Sequence, residues 1–275
     1  MKKSHRENLR VKASFGLKQK ILLPAIGLLA LTVCVILGLV LTLSSQNTTE
    51  LSSDLMVSMS RQYANEVQGK LNAALNSAKA LNPVFSQPGR TATRSSDISL
   101  LASILRQNED CFGAFTLWEP NAYDGRDSQY INNEQSDASG RFIPYVHNDG
   151  AGGIVIEPLT GYETEGDGDY YLIPKTTLEE TYIDPFYYEI GGQKILVTSM
   201  VMPLLRNNEF VGVVGMDILA DTLVEELKGA VLFESGYLFM ADSDGDVFYH
   251  PDASFIGQSL YDMWSDESAT LLAQA

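Results

Sequence analysis

The feature that most constrains this chain is an uncharged run of 23 residues close to its N-terminus, from Ile21 to Leu43. A helix of this length crosses about 30 Å, which is the thickness of the hydrocarbon core of a bilayer. A cleaved signal peptide would have an apolar stretch of only about 7–15 residues, and no A-x-A cleavage site follows the run. We therefore predict a retained transmembrane helix over residues 21–43.

The charges that flank this helix set its orientation. Seven Lys and Arg residues precede it within residues 1–20, against the single acid Glu7, and no basic residue follows it immediately. The positive-inside rule then places a basic N-terminal segment, residues 1–20, in the cytoplasm. We expect a protein of the inner (plasma) membrane with one N-terminal span and with the bulk of the chain periplasmic or extracellular.

The region beyond the span is strongly acidic. It holds 12 basic and 34 acidic residues, a net charge of −22. Such a surface repels nucleic-acid phosphates and attracts small cations, so we expect no nucleic-acid partner. Acidity also favours solubility, and composition alone leaves both interpretations open.

The sequence holds no motif for metal or catalytic chemistry. Three histidines and two cysteines, one of them inside the span, cannot assemble a His/Cys metal cluster. The segment DSDGDVFYHPDA starts like a calcium loop, but Val247 stands where glycine is needed and Ala253 where a bidentate glutamate is needed. Neither a nucleophile elbow nor a phosphate-binding glycine loop occurs in the sequence. We therefore expect a non-enzymatic protein without catalytic residues, metal or cofactor.

A long helix is predicted directly after the span, over residues 44–85. This stretch has one glycine and no proline before Pro83, and its apolar residues recur at every fourth position. A strict spacing of four drifts around a helix, which favours one contact with the protein's own domain and a short contact with a second copy. We therefore expect a homodimer through this helix. The recurring apolar residues are Leu51, Leu55, Met59, Tyr63, Val67, Leu71 and Leu75.

Short apolar runs separated by turn signals follow the helix and predict antiparallel strands. The clearest pair is QKILVTSMVMPLL and EFVGVVGMDIL, joined by RNN as a hairpin, and ADTLVEELKGAV then returns to helical spacing. A second, shorter set of strands begins at GYLFMADSDGDVFYHP, with a turn at its Asp-Gly pair. The predicted fold class is α+β, with one module over residues 86–220 and a second, partial module over residues 221–275.

Acidic and aromatic residues recur in several of these segments and suggest a pocket for an organic cation. An ammonium group over a Trp or Tyr ring gains roughly 0.5–2 kcal/mol, and a carboxylate adds charge-assisted hydrogen bonds. Asp217 is the most suggestive acid because it follows an apolar strand, whereas the tyrosines fit core packing equally well. Asp124 and Asp127 fit turn-capping roles. The candidate ligand-binding residues are Trp118, Glu119, Tyr145, Tyr170, Tyr171, Phe186, Tyr188 and Asp217.

The chain combines a membrane anchor and a long helix with the motifs YYLIPK, DPFYYEIGGQKILVTSMVMPL, FVGVVGMDI and GYLFMADSDGDVFYHP. Together, from about residue 44 onward, these features resemble the double-Cache (dCache) sensor domain of bacterial methyl-accepting chemotaxis proteins. The resemblance implies a long helix bearing two stacked PAS-like modules, with the ligand in the membrane-distal one. Receptors of this kind continue through a second membrane helix and a cytoplasmic signalling domain, so we expect this sequence to be a fragment of a longer receptor.

The same resemblance suggests which ligand is bound. In amino-acid-binding members, an arginine two residues before a Trp-Tyr pair holds the ligand carboxylate; here that position is Gly168 and the pair is Tyr170-Tyr171. The aspartate that grips the ligand amino group matches Asp217. A second acid of the family is replaced by Tyr188, and a tyrosine of the family by Phe186. The resemblance therefore implies the amine- and polyamine-sensing subgroup.

We therefore expect the extracytoplasmic ligand-sensing domain of a transmembrane chemoreceptor. It would bind a small organic cation, namely a polyamine, a biogenic amine or a quaternary ammonium compound, and pass the signal across the membrane. Two alternatives stay open at this point. One is a sensor for amino acids or other small polar ligands, and the other is a membrane-anchored interaction domain without a small ligand.

Overall fold

The computed structural model describes residues 17–230 and 236–263. The chain forms two compact units, residues 1–59 and residues 60–275. Helix α1, Leu17–Ser86, contributes to both of them. Residues 1–16, which are most of the predicted cytoplasmic segment, lie outside the described residues.

The part of α1 in the first unit is an exposed apolar helix. Its most apolar 18-residue window has a mean hydropathy of 2.5, and none of that window is buried. Leu29, Ile36 and Leu43 are examples of its large exposed side chains. By length and composition, this helix is able to cross a membrane.

The second unit is built on a six-stranded antiparallel sheet. Its strands are β1 (Gly113–Trp118), β2 (Pro144–Asn148), β3 (Ile154–Pro158), β4 (Thr181–Ile190), β5 (Gln193–Arg206) and β6 (Glu209–Leu219). They lie in the order β3-β2-β1-β6-β5-β4. Three helices accompany the sheet, α2 (Arg94–Gln107), α3 (Asp169–Thr177) and α4 (Ala220–Val224). The predicted α+β class is confirmed.

The hairpin of β5 and β6 forms as predicted. Asn207 and Asn208 connect the strands, both in the left-handed backbone region with φ of 55° and 65°, as a two-residue type I′ turn requires. A bulge next to Leu204 shifts the pairing of the two strands by one residue. As a result, Ser199 lies directly opposite Asp217.

The sheet has a buried core on each of its faces. Strand β1 shows the division, because Ala114 and Trp118 lie in one core while Phe115 and Leu117 lie in the other, as the alternation of side chains along a strand requires. We call the first the helix face, since α1 and α2 cover it, and the second the aromatic face. Helix α1 contributes to the helix face Val67, Leu71, Ala74, Leu75, Ala78, Leu81 and Phe85.

Helix α3 is an element that the sequence analysis did not predict. It brings Tyr170 and Tyr171 into the core of the aromatic face. Pro174 lies inside the helix, and the run of Gly and Asp residues before it favours turns, so no helical pattern stands out in the sequence. Leu178 ends the helix in the left-handed conformation, with φ of 58°.

A second, two-stranded sheet follows, formed by β7 (Met240–Ala241) and β8 (Val247–Tyr249). The carboxylate of Asp242 accepts hydrogen bonds from the backbone N–H groups of Asp244 and Asp246 at 3.0 and 2.8 Å. The acidic segment that starts like a calcium loop is therefore a turn closed by its own aspartate. Helix α5 (Leu260–Met263) begins after it, and the residues after 263 lie outside the described range.

The long connection between β1 and β2 is held by the buried guanidinium of Arg94, at the start of α2. Its Nε and Nη2 donate to Asp124 at 3.0 Å each, and Nη2 also donates to Asp127 at 2.6 Å. Its Nη1 donates to the hydroxyl of Ser136 at 3.1 Å and to the carbonyl of Gly140 at 2.8 Å. The two aspartates also accept backbone N–H groups of their own loop. Their expected role in turns is thus only part of what they do, since both are ion-pair partners of a residue about 30 positions away.

Candidate functional site

The aromatic face carries a buried acid among four aromatic side chains. Asp217 comes from β6, Tyr145 from β2, Tyr170 from α3, and Phe186 and Tyr188 from β4. The ring centroids are 5.6 Å apart for Tyr145 and Tyr188, 6.2 Å for Tyr170 and Tyr188, and 6.4 Å for Tyr170 and Phe186. We call these five residues the aspartate cage.

Asp217 is only 4% exposed. Burial raises the pKa of its carboxyl to about 7, although the hydroxyls of Ser199 and Tyr145 act in the opposite direction. Ser199 donates a hydrogen bond to Oδ1 at 2.6 Å. Within the part of the chain that the structure describes, no Lys, Arg or His forms an ion pair with this carboxylate. A buried carboxylate without a cation is costly, so the cage favours a positively charged guest.

The three tyrosine hydroxyls of the cage differ in how they are satisfied. Tyr170 donates to the carbonyl of Thr160 at 2.7 Å, and Tyr188 accepts from the N–H of Thr160 at 2.9 Å. The fully buried hydroxyl of Tyr145 lies beside Asp217 but completes no hydrogen bond of normal geometry with the described residues. Burial and the nearby Asp217 raise the pKa of Tyr145 well above its usual value. This hydroxyl therefore stays protonated, and it interacts with the carboxylate of Asp217.

Two glycines on neighbouring strands make room for the rings. Gly113 on β1 lies opposite Asp217, and a Cβ atom there would come within 2.5 Å of the Tyr145 ring. A Cβ atom at Gly215 would come within 2.3 Å of the ring of Phe115, which packs against Tyr145 with centroids 6.3 Å apart. The missing side chains let the aromatic rings approach the sheet.

Glu119 and Tyr171 belong to a neighbouring cluster that already contains cations of the protein itself. Lys175 Nζ lies 2.8 Å from Glu119 Oε1 and 2.8 Å from the Tyr171 hydroxyl, and 4.9 Å from the centre of the Tyr171 ring. Arg141 Nη2 donates to the same hydroxyl at 3.2 Å. Burial tends to raise the pKa of Glu119, but the hydrogen bonds from Lys175 and Tyr171 hold it below its usual value.

The structure thus brings together five of the eight candidate residues. Glu119 and Tyr171 lie in the adjacent cluster, where Lys175 forms an ion pair with Glu119. Trp118 lies elsewhere, which corrects its expected place in the same pocket: it is fully buried on the helix face, where it packs edge-on to Phe85 at 6.4 Å. The guanidinium of Arg206 lies 4.6 Å from the centre of its ring.

Comparison with known proteins identifies the fold family. A family model described as methyl-accepting chemotaxis protein-like, first PDC sensor domain, matches residues 98–225, the range that contains the whole cage. The methyl-accepting chemotaxis protein TlpQ of Pseudomonas aeruginosa is 27% identical over 167 residues, which are 56% of this chain and 22% of TlpQ. The chain therefore spans about a fifth of the length of that relative.

Two solved structures match along most of their length. They are the extracellular domains of two proteins described as histidine kinases, mmHK1S-Z3 and mmHK1S-Z2. The first is 30% identical with a TM-score of 0.72, covering 82% of this chain and 80% of that one; the second is 31% identical with a TM-score of 0.70, covering 82% of each. The chain belongs to the PDC (Cache) family of sensor domains. This is a family of receptor sensor domains rather than of enzymes.

In this PDC domain, Gly168 stands where the resemblance places arginine in amino-acid-binding members. Gly168 is packed against the preceding loop: a Cβ atom there would come within 2.6 Å of the backbone carbonyl carbon of Tyr162 and 2.7 Å of the carbonyl oxygen of Gly161. A side chain at this position would require the loop backbone to move. The local packing of this PDC domain is therefore built around glycine.

Proposed function

We propose that this PDC domain is the ligand-sensing part of a transmembrane chemoreceptor, and that its aspartate cage binds a small organic cation. The observation that carries the proposal is the carboxyl of Asp217, which lies buried among four aromatic rings without a cationic partner in the described residues. The ligand classes that fit are polyamines, biogenic amines and quaternary ammonium compounds.

An ammonium group in the cage would supply the charge that Asp217 lacks. A charge-assisted hydrogen bond to the carboxylate is roughly twice as strong as a neutral one. Each aromatic ring within about 6 Å of the cation adds roughly 0.5–2 kcal/mol, with the larger value in a desolvated site. The hydroxyl of Tyr145 offers one further polar contact.

The strand that carries Asp217 also contacts helix α1. Ligand binding at Asp217 could therefore change the packing of this helix. Met216 and Ile218, on either side of Asp217, lie in the core of the helix face. Lys70 of α1 donates to the carbonyl of Thr222, just after β6, at 2.9 Å. We infer that a ligand that pulls on Asp217 repacks β6 against α1. In this proposal the apolar part of α1 anchors the protein in the inner membrane, and the part of the helix that follows, residues 44–85, joins two copies as a homodimer.

Thermal unfolding of the full chain in detergent micelles, followed by tryptophan fluorescence, tests the cage. A cation at about 100 times its dissociation constant adds about 2.7 kcal/mol to the free energy of unfolding, which raises the Tm by roughly 5–10 °C for a domain of this size. We expect this shift with butylamine, diaminobutane or tetramethylammonium. It should disappear in Asp217→Asn and persist in Asp167→Asn, which removes the same charge from an exposed loop position.

Other outcomes would contradict the proposal in distinguishable ways. Stabilisation by organic acids alone, or equal shifts in the Asp217→Asn variant, would show that the cage does not hold a cation. Stabilisation by amino acids but by no simple amine would favour an amino-acid sensor. No shift with any of these compounds would favour an interaction domain without a small ligand.

A further inference from the structure

A recess of about 430 Å³ lies next to the aspartate cage. It is formed between the end of β3 and the tip of the β4–β5 hairpin. Tyr188 lines both the cage and the recess, so the two spaces share a wall. The recess is also lined by Glu157, Thr160, Glu189, Gly191 and Gly192. Its volume falls within the range of small-molecule sites.

Glu157 faces the same side of the sheet as the cage. It is the direct antiparallel partner of Tyr145, and side chains of such a pair lie side by side with Cβ atoms about 4.5–5.5 Å apart. Its side chain is 31% exposed, and its Oε1 lies 3.4 Å from His147 Nε2. Glu157 is therefore partly buried at the mouth of the cage, and one side of its carboxylate is accessible from the recess.

The phenols of Tyr145 and Tyr188 are influenced by two carboxylates. Burial is the main reason why the pKa of each phenol is raised, and both Asp217 and Glu157 raise it further. A further observation points to a ligand in the same place: the hydroxyl of Tyr145, beside Asp217, is fully buried and completes no hydrogen bond of normal geometry among the described residues. A polar ligand that packs along the rings of Tyr145 and Tyr188 would contact the hydroxyl of Tyr145.

We propose that Glu157 is a second cation-binding residue and that the ligand of this domain is a linear diamine. One ammonium group binds Asp217 inside the cage, the other binds Glu157 at the recess, and the hydrocarbon chain crosses the rings of Tyr145 and Tyr188. This inference rests on the proposed function of the cage. A quaternary ammonium or a simple monoamine would leave Glu157 unused.

The spacing of the two acids agrees with a ligand that carries two separated charges. Strands β3, β2, β1 and β6 are consecutive neighbours in the sheet, and their pairing places Glu157 level with Gly215, two residues before Asp217 on β6. The backbones at Glu157 and Asp217 are therefore roughly 14 Å apart across the strands and roughly 7 Å apart along them. Both side chains reach inward over the aromatic face. A single ammonium group with hydrogen bonds of about 2.8 Å contacts one carboxylate but cannot bridge both.

The test is isothermal titration calorimetry of the full chain in nanodiscs near pH 8, with diaminobutane and butylamine as probes. We expect diaminobutane to bind the wild type about tenfold or more tightly than butylamine. Glu157→Gln should bring the two affinities together by weakening diaminobutane alone. Asp217→Asn should abolish the binding of both. Glu134→Gln, which removes an exposed acid, should leave both affinities unchanged, and thermal unfolding confirms that each variant is folded.

The possible failures separate the two proposals. If butylamine and diaminobutane bind the wild type equally, or if Glu157→Gln weakens both to the same degree, the second subsite is refuted while the cage stands. A diamine preference that survives Glu157→Gln also refutes the role of Glu157. If neither amine binds the wild type, the cage itself is refuted together with the subsite.

Discussion

Replacing Asp217 with asparagine is expected to stabilise the unliganded protein above pH 7, by up to about 4 kcal/mol in the free energy of unfolding. Burial raises the pKa of this carboxyl from 3.8 to about 7, and a rise of one pKa unit corresponds to about 1.4 kcal/mol. Asparagine has nearly the same shape and keeps an oxygen that can accept the hydrogen bond from Ser199. Its amide group can also donate to the hydroxyl of Tyr145.

The direction of the effect follows from where the proton is bound. Below pH 3.8, the ordinary pKa of an aspartate, the carboxyl is protonated in both the folded and the unfolded state, and the raised pKa has no cost. Between that value and pH 7 the unfolded state releases the proton while the folded state keeps it, so the wild type loses about 1.4 kcal/mol per pH unit. Above pH 7 both states are ionised and the loss is complete. Asparagine does not titrate, so the free energy of unfolding of the variant does not fall in this way as the pH rises.

The measurement is the Tm of unliganded wild type and Asp217→Asn between about pH 5 and pH 8, where each kcal/mol corresponds to roughly 2–4 °C. The advantage of the variant should grow up to pH 7 and then stay constant. Asp167→Asn is the matched control and should differ little from wild type throughout, because its side chain is exposed. A difference between wild type and Asp217→Asn that does not change with pH would show that the carboxyl is not destabilised by burial.

Such a result would give the buried acid a physical role. A residue that weakens the empty domain and is satisfied only by a cation couples ligand binding to the packing of the sheet. Because Met216 and Ile218, its neighbours on β6, lie in the core shared with α1, relief of this destabilisation would change the packing of β6 against this helix. The stability lost without ligand is then a consequence of the function proposed for the site.

The sequence predicted Asp217 and the β5–β6 hairpin because both have local signals. The hairpin has two apolar runs separated by a short polar turn that contains Asn207 and Asn208, and an acid next to an apolar strand needs a specific environment. The cross-strand partner of Asp217 could not be predicted from the sequence. A regular hairpin around the Asn207–Asn208 turn would pair Asp217 with Thr198, whereas the bulge next to Leu204 shifts the register and pairs it with Ser199. A one-residue shift of this kind depends on packing between strands rather than on the pattern within them.

The misplaced Trp118 has a similar origin. Every residue of β1 is buried, so the strand shows no polar and apolar alternation from which its two faces could be told apart. Strand β1 turns Phe115 towards the aromatic face and Trp118 towards the helix face. The neighbouring strands of the sheet determine this orientation. Tyr145 and Glu157 face each other across β2 and β3 for the same reason, and no signal in the sequence joins them.

Replacing Arg94 with methionine is expected to lower the free energy of unfolding by roughly 3–5 kcal/mol, the usual cost of removing one partner of a buried ion pair. The side chain of Arg94 is 2% exposed, and that of Asp127 is 6% exposed. All five guanidinium N–H groups donate hydrogen bonds, to Asp124, Asp127, Ser136 and Gly140. Methionine fills part of the volume but leaves the buried carboxylate of Asp127 without its cation and the carbonyl of Gly140 without the hydrogen bond from Arg94.

Lysine should rescue only part of this loss, because a single ammonium group cannot reproduce the five-donor fork of arginine. The Tm of the full chain in micelles measures each variant, with Arg106→Met as the matched control, since Arg106 is exposed on the same helix. A loss for Arg94→Met no larger than for Arg106→Met would contradict the buried pairing. Adding Asp127→Asn to Arg94→Met separates the cause: if the penalty is an unpaired buried charge, the double variant is more stable than Arg94→Met alone, and if it is lost packing, it is not.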